Sequence, residues 1–273
     1  MHTSPAPLLT IPLLLLLSAP HSARAQPATA PAEPSIKTST IAYEHEGVAL
    51  EGFLAEPADL GPEEKRPGIL VVHEWWGLND YARMRTRKLA ELGYVAFAAN
   101  MYGTGKVTTH PEEARAWAGQ FRENRALFHT RALAGLKQLQ EHANVDGNRL
   151  AAIGYCFGGS TVMELAYQGA PLLGVVSFHG GLPVAEAGGN IKAKILVCHG
   201  ASDGFVSPQA IQDFTTALTE RGADWHLVKY GGAVHSFTNP EADEIEMKGI
   251  AYDEAADRRS WAHMKQFFEE LFQ

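Results

Sequence analysis

The apolar positions of this chain gather in short runs separated by longer amphipathic stretches. Runs that read as strands occur at 68–72 (GILVV), 94–99 (YVAFAA), 149–155 (RLAAIGY), 172–178 (LLGVVSF), 194–198 (KILVC) and 225–230 (WHLVKY). They show little polar alternation, which is the pattern of strands covered on both faces. Two shorter extended runs, 40–43 and 49–54, flank Glu44-His45-Glu46-Gly47 and predict an opening hairpin. Helical segments fill the gaps. Ser207 followed by Pro208 supplies an N-cap with proline at the first helical position, and Gly222 supplies a stop, so a helix is expected over 208–221. The segment 111–143 is long enough for two helices, and 257–272 closes the chain with another. Buried strands alternating with helices imply an α/β fold, a mostly parallel central sheet with helices on both faces. Sheets of this kind carry their sites just beyond the carboxyl ends of the strands.

With 45% hydrophobic and 20% charged residues over 273 positions, the composition is that of a globular protein and excludes a collagen, a coiled coil or a disulfide miniprotein. The amino-terminal segment stands apart. Residues 8–17 (LLTIPLLLLL) form an apolar run, followed by Ser18-Ala19-Pro20 and Ala23-Arg24-Ala25, which reads as a signal peptide over 1–25. The run is too short to span a bilayer, which takes about 20 apolar residues, so no stable membrane span is expected once the leader is removed. A Pro/Ala-rich linker is expected over 26–39 and one domain over 40–273, exported to the periplasm or secreted. A net charge of −8 without a dense Lys/Arg run argues against nucleic acid as a partner. An oxidising compartment would favour a disulfide between Cys156 and Cys198, but the predicted sheet places these residues two strand spacings apart, about 9–10 Å. A disulfide needs Cα atoms within about 7 Å, so both cysteines are expected to be free.

The sharpest local feature is Gly154-Tyr155-Cys156-Phe157-Gly158-Gly159, where a strand gives way to a helix. This is the nucleophile-elbow pattern with cysteine in the place usually held by serine. Such a turn holds its central residue in a strained backbone state above the sheet, and it needs flanking glycines because a Cβ there would meet neighbouring chain. A thiolate on Cys156 would face the positive end of the following helix. On this fold the partners follow in the order nucleophile, acid, histidine. Asp203 lies in the loop after the KILVC strand, and His235 lies after the last strand, in Gly231-Gly232-Ala233-Val234-His235-Ser236-Phe237. His73, His179 and His199 also sit at strand ends and compete for the base role; chain order favours His235. The sequence His73-Glu74-Trp75-Trp76-Gly77 begins like a zinc-protease motif but has glycine where the second histidine ligand belongs, so no metal and no cofactor are assigned. This loop instead sits where the fold supplies one oxyanion-hole amide, the other being the N–H of Phe157.

Taken together, these motifs resemble the dienelactone hydrolase (carboxymethylenebutenolidase) family, a branch of the α/β-hydrolase fold with a cysteine nucleophile. The resemblance is carried by HEWWGLN at 73–79, NMYG reaching Gly103, GYCFGG at 154–159, GASDGFVSP at 200–208 and AVHSF at 233–237. It implies Cys156 as nucleophile, Asp203 as acid and His235 as base. It also implies that Glu74 lies against the resting thiol and that the Trp75 amide is the second oxyanion donor. Trp76 and Tyr102 would add to the substrate pocket, with Trp75 and Phe157. The chain departs from the family pattern in one respect. Dienelactone-cleaving members hold the substrate carboxylate with arginines, one of them just after the histidine motif, where this chain has Thr238-Asn239-Pro240. Arg115, Arg122 and Arg125 are the candidates for the other.

The expected activity is hydrolysis of a small ester or lactone through a thioester on Cys156. Three rivals make different demands. A binding module on the same fold would bind without turnover, and the complete set of Cys156, Asp203 and His235 in the required order argues against it. A thiol redox protein would need a resolving partner for Cys156. A peptidase would use the same chemistry on an amide.

Overall fold

The computed structural model describes residues 1, 2, 4, 34–185 and 191–273. Apart from residues 1, 2 and 4, the expected leader lies outside the described residues, as does the linker up to residue 33. The chain divides into two units between Glu33 and Pro34, and the second unit carries the fold. The expected linker ends too late: β1 runs Ile36–His45 and pairs antiparallel with β2, Val48–Pro57, over its whole length. Four residues assigned to the linker therefore belong to the sheet. Most of the side chains of β1 are exposed, so its strand character comes from backbone pairing and leaves little trace in the hydrophobic pattern. The hairpin turn is made by Glu46 and Gly47, both with positive φ, at 51° and 74°. Two such residues match the right-handed twist of the flanking strands.

The remaining strands are β3 (Arg66–Val72), β4 (Val95–Ala99), β5 (Val145–Tyr155), β6 (Gly174–Phe178), β7 (Lys194–Gly200) and β8 (Trp225–Tyr230). They form one eight-stranded sheet in the order β1-β2-β4-β3-β5-β6-β7-β8, antiparallel at the β1-β2-β4 side and parallel from β4 to β8. The lack of alternation in the apolar runs has the expected cause. Along β3, Ile69 and Val71 enter one core layer while Leu70 and Val72 enter the other, and all four are fully buried.

The helices are α1 (Asp80–Glu91), α2 (Pro111–Glu123), α3 (Arg125–Gln140), α4 (Phe157–Tyr167), α5 (Pro208–Glu220) and α6 (Glu254–Leu271). Tyr81 and Leu89 of α1 pack with Met264 and Phe268 of α6 in one core layer, and Ala118, Leu136, Val162 and Phe214 carry α2 to α5 into the other. Caps set the boundaries. Ser207 accepts from the N–H of Ala210 at 3.1 Å ahead of Pro208. Asp253 accepts from Ala256 at 2.9 Å and starts α6 three residues earlier than expected. Among the described residues, no helix is long and apolar enough to cross a membrane. Both cysteines are free, and β6 lies between the strands that lead to them.

Candidate active site

Three parallel strands deliver the chemistry to one edge of the sheet. β5 ends at Tyr155 and α4 begins at Phe157, so Cys156 alone makes the turn, with φ 53° and ψ −111°. A non-glycine residue with positive φ is costly, and here the surroundings enforce it. The Cys156 N–H is shared between the Phe178 carbonyl at 3.0 Å and His179 Nδ1 at 3.1 Å. A Cβ on Gly154 would stand 2.0 Å from the Gly158 carbonyl oxygen, and one on Gly158 would stand 2.1 Å from that of Val72. Only glycine lets α4 settle this close to β3. Cys156 is half-buried and faces a cavity of about 670 Å³.

β7 ends in the loop that carries Asp203, and His235 follows β8. Asp203 Oδ2 accepts from His235 Nδ1 at 2.8 Å, and its other oxygen accepts the Phe205 N–H at 2.9 Å. Burial opposes the charge on Asp203, but the bond to His235, its charge and the Phe205 amide hold the carboxyl below its ordinary 3.8. Burial likewise opposes charge on His235; attraction to the Cys156 sulfur and the bond to Asp203 outweigh it and push the ring up to about 10. The ring is thus biased toward its protonated form between Asp203 and the Cys156 sulfur. Aromatic edges fix its plane, with His179 at 5.3 Å and Phe205 at 5.1 Å between ring centroids. His179 is therefore a neighbour of the base, and burial holds it well below its ordinary value. His199 is also buried and uncharged, held down chiefly by burial.

The cavity is lined by Trp75, Cys156 and Phe157, by Phe205 and Ile250, which both adjoin His235, by Val206 and Met247, and by Arg115, Arg122 and Arg125. All three arginines proposed from the sequence thus reach the same space. Arg125 bonds Glu164 of α4, a pairing that the sequence pattern did not reveal because it joins two helices. The apolar lip formed by Phe205, Met247 and Ile250 was also missed, since it comes from loops with no periodic signal.

Three expected placements differ. Trp76 is nearly fully buried, packs on the Trp75 ring at 4.8 Å between centroids and lines a separate cavity with Asn79, Thr108 and Asn239. Tyr102 does not line the cavity around Cys156. It stands behind the wall, packed on Phe157 at 5.3 Å and on Trp117 at 5.6 Å. Glu74 does not rest on the thiol. Its carboxylate accepts from Ser236 Oγ at 3.0 Å and Asn239 Nδ2 at 2.9 Å, beneath the histidine loop. Burial pushes this carboxyl up, and those two bonds together with the charge of His235 offset part of the effect.

Comparison with known proteins agrees with this architecture. The model of the dienelactone hydrolase family matches residues 50–272. Protein usf of Aquifex pyrophilus is 28% identical over 240 residues, spanning 84% of this chain and 97% of that protein. A dienelactone hydrolase-like promiscuous phosphotriesterase from metagenomic libraries has a solved structure with TM-score 0.84 and 38% identity, covering 87% of this chain and 99% of that one. The solved structure named m3DLH matches with TM-score 0.84 and 40% identity at the same coverage. The chain, with its mostly parallel sheet and its cysteine elbow, belongs to the dienelactone hydrolase family and is a carboxylic ester or lactone hydrolase.

Proposed function

We propose that this hydrolase is exported and cleaves a small ester or lactone bearing an anionic substituent, through a thioester on Cys156. The observation that carries the proposal is the Asp203–His235 hydrogen bond at the cavity into which the strained turn presents Cys156. In this scheme His235 takes the thiol proton and the sulfur attacks the substrate carbonyl carbon. The oxyanion is held by the N–H groups of Phe157 and Trp75. As the tetrahedral adduct collapses, the carbon–oxygen bond to the leaving group breaks and His235 returns its proton to that oxygen. Water then attacks the thioester with His235 as general base, which restores the thiol. Asp203 fixes the tautomer and orientation of the ring throughout.

Because His235 must protonate the leaving oxygen, the leaving group lies on the side of Phe205, Met247 and Ile250, and the acyl part extends toward the arginines. Arg115 and Arg122 have no acidic partner among the described residues, which leaves them to receive a carboxylate. A charge-assisted bond contributes about 1.5–3 kcal/mol, or roughly 10- to 100-fold in binding. Arg122→Gln is therefore expected to lower kcat/KM for a carboxylate-bearing ester more than for its neutral analogue; equal loss on both would contradict the anionic substituent. Acid-quenched turnover is expected to leave the acyl group on the peptide containing Cys156, and an acyl group elsewhere would contradict the mechanism. A redox role is disfavoured because Cys198 is fully buried and accepts a hydrogen bond from Tyr230. Export rests on the apolar run at 8–17 and the Ala23-Arg24-Ala25 site that follows it.

A further inference from the structure

The carbonyl that precedes the second oxyanion donor is held by a residue with no part in the scheme so far. His73 follows β3 and is fully buried. Its Nε2 accepts the backbone N–H of Met101 at 3.2 Å, and its Nδ1 bonds the carbonyl oxygen of Glu74. An amide N–H can only donate and a carbonyl can only accept, so the ring proton sits on Nδ1 and the imidazole is neutral. Burial keeps it so, pushing His73 down to about 4. A second, longer bond reaches the same carbonyl from the Gly77 N–H at 3.3 Å.

The Glu74 carbonyl and the Trp75 N–H are the two ends of one planar trans peptide unit and point in opposite directions. Drawing the carbonyl toward His73 therefore turns the N–H away from it. Trp75 lines the cavity beside Cys156, and its N–H donates to no acceptor among the described residues. The same imidazole lies parallel to the Phe157 ring, with centroids 5.9 Å apart and planes 11° from each other. Phe157 opens α4, and its amide has no helical carbonyl to bond. One buried ring thus touches the peptide unit of one oxyanion donor and the side chain of the other.

We propose that His73 is the positioning residue of the oxyanion hole, holding the Glu74–Trp75 peptide plane so that the Trp75 N–H faces the reacting carbonyl. The inference rests on the reading of Cys156 as hydrolytic nucleophile. It confines the effect of His73 to steps that develop an oxyanion, namely acylation and thioester hydrolysis. Displacement of iodide from iodoacetamide by the Cys156 sulfur forms no oxyanion and does not need the Trp75 amide.

The test compares kcat and KM on an activated ester with the rate of Cys156 alkylation by iodoacetamide. His73→Phe keeps a flat ring against Phe157 and removes both hydrogen bonds. It is expected to lower kcat by up to about 10²–10³-fold, the loss typical of one oxyanion donor, with KM and alkylation unchanged. His73→Asn, whose amide nitrogen stands where Nδ1 does and can donate to the Glu74 carbonyl, is expected to recover most of that loss. A wild-type kcat in His73→Phe, or parallel loss of turnover and alkylation, would overturn the proposal. Should His73→Phe fail to fold, His73→Leu, which likewise removes both hydrogen bonds, carries the same expectation and the same refutation. Turnover that survives Cys156→Ala would instead defeat the underlying hydrolase reading, so the two failures are distinguishable.

Discussion

The His235 ring meets opposing demands: burial disfavours its charge, yet Cys156 and Asp203 raise it to about 10. Linkage turns this into a stability signature. A raised histidine contributes stability that is fully present below its ordinary 6.5 and is lost as pH rises through about 10. Asp203, held below 3.8, contributes stability that is present above that value and is lost as pH falls through its lowered value. The difference in Tm between the wild type and Asp203→Asn is therefore expected to be widest between about pH 4 and 6.5 and to narrow in stronger acid and toward pH 10. A gap independent of pH would contradict the paired state. Turnover of Asp203→Asn is expected to fall steeply, by up to about 10⁴-fold, as happens when a triad histidine loses its tautomer partner. Chain order and strand-end position singled out Cys156, Asp203 and His235, and the fold brings the bonded Asp203–His235 pair to the cavity that Cys156 lines. The contacts of Glu74 were not legible, since its bonds to Ser236 and Asn239 join segments far apart in sequence. Should Glu74 nonetheless tune the thiol through His235, Glu74→Gln will change the pH profile of Cys156 alkylation; an identical profile would remove it from the site.

Between elements, the fit of α4 against β3 decides whether the turn at Cys156 can exist. Gly158→Ala would drive a Cβ to 2.1 Å from the Val72 carbonyl, a backbone atom that cannot step aside. Loss of both Tm and turnover is expected, and a variant of unchanged stability would show that the elbow is not pinned there. On the opposite face, Arg85 of α1 is buried and reaches Asp257 of α6 at 2.6 Å, with further contacts to the rings of Tyr81, Tyr155 and Trp261. Asp257→Ala would leave that guanidinium unpaired, with an expected cost of about 3–5 kcal/mol by urea unfolding. The central strands were legible because burial on both faces leaves continuous apolar runs. Helix α5 was legible because Ser207, Pro208 and Gly222 mark its ends. The first residues of β1 were not, because an exposed edge strand is defined by its partner's backbone rather than by its own side chains.

Across the whole molecule, the sheet gathers loops after β3, β5, β7 and β8 into one cavity lined by three arginines and by apolar side chains. Its existence followed from the parallel topology, but its lining did not. Trp76 and Tyr102 belong to the right segments, yet one turns into a neighbouring cavity and the other supports the wall from behind. Segment position is a property of topology, whereas side-chain direction is settled by packing between loops. The arrangement makes one claim on which the rest depends, that the sulfur of Cys156 is the atom attacking the substrate. Hydrolysis of a small activated ester by the protein, measured beside a folded Cys156→Ala variant, tests it directly. Turnover is expected of the wild type and none above background of the variant; comparable turnover by both would contradict attack by this sulfur.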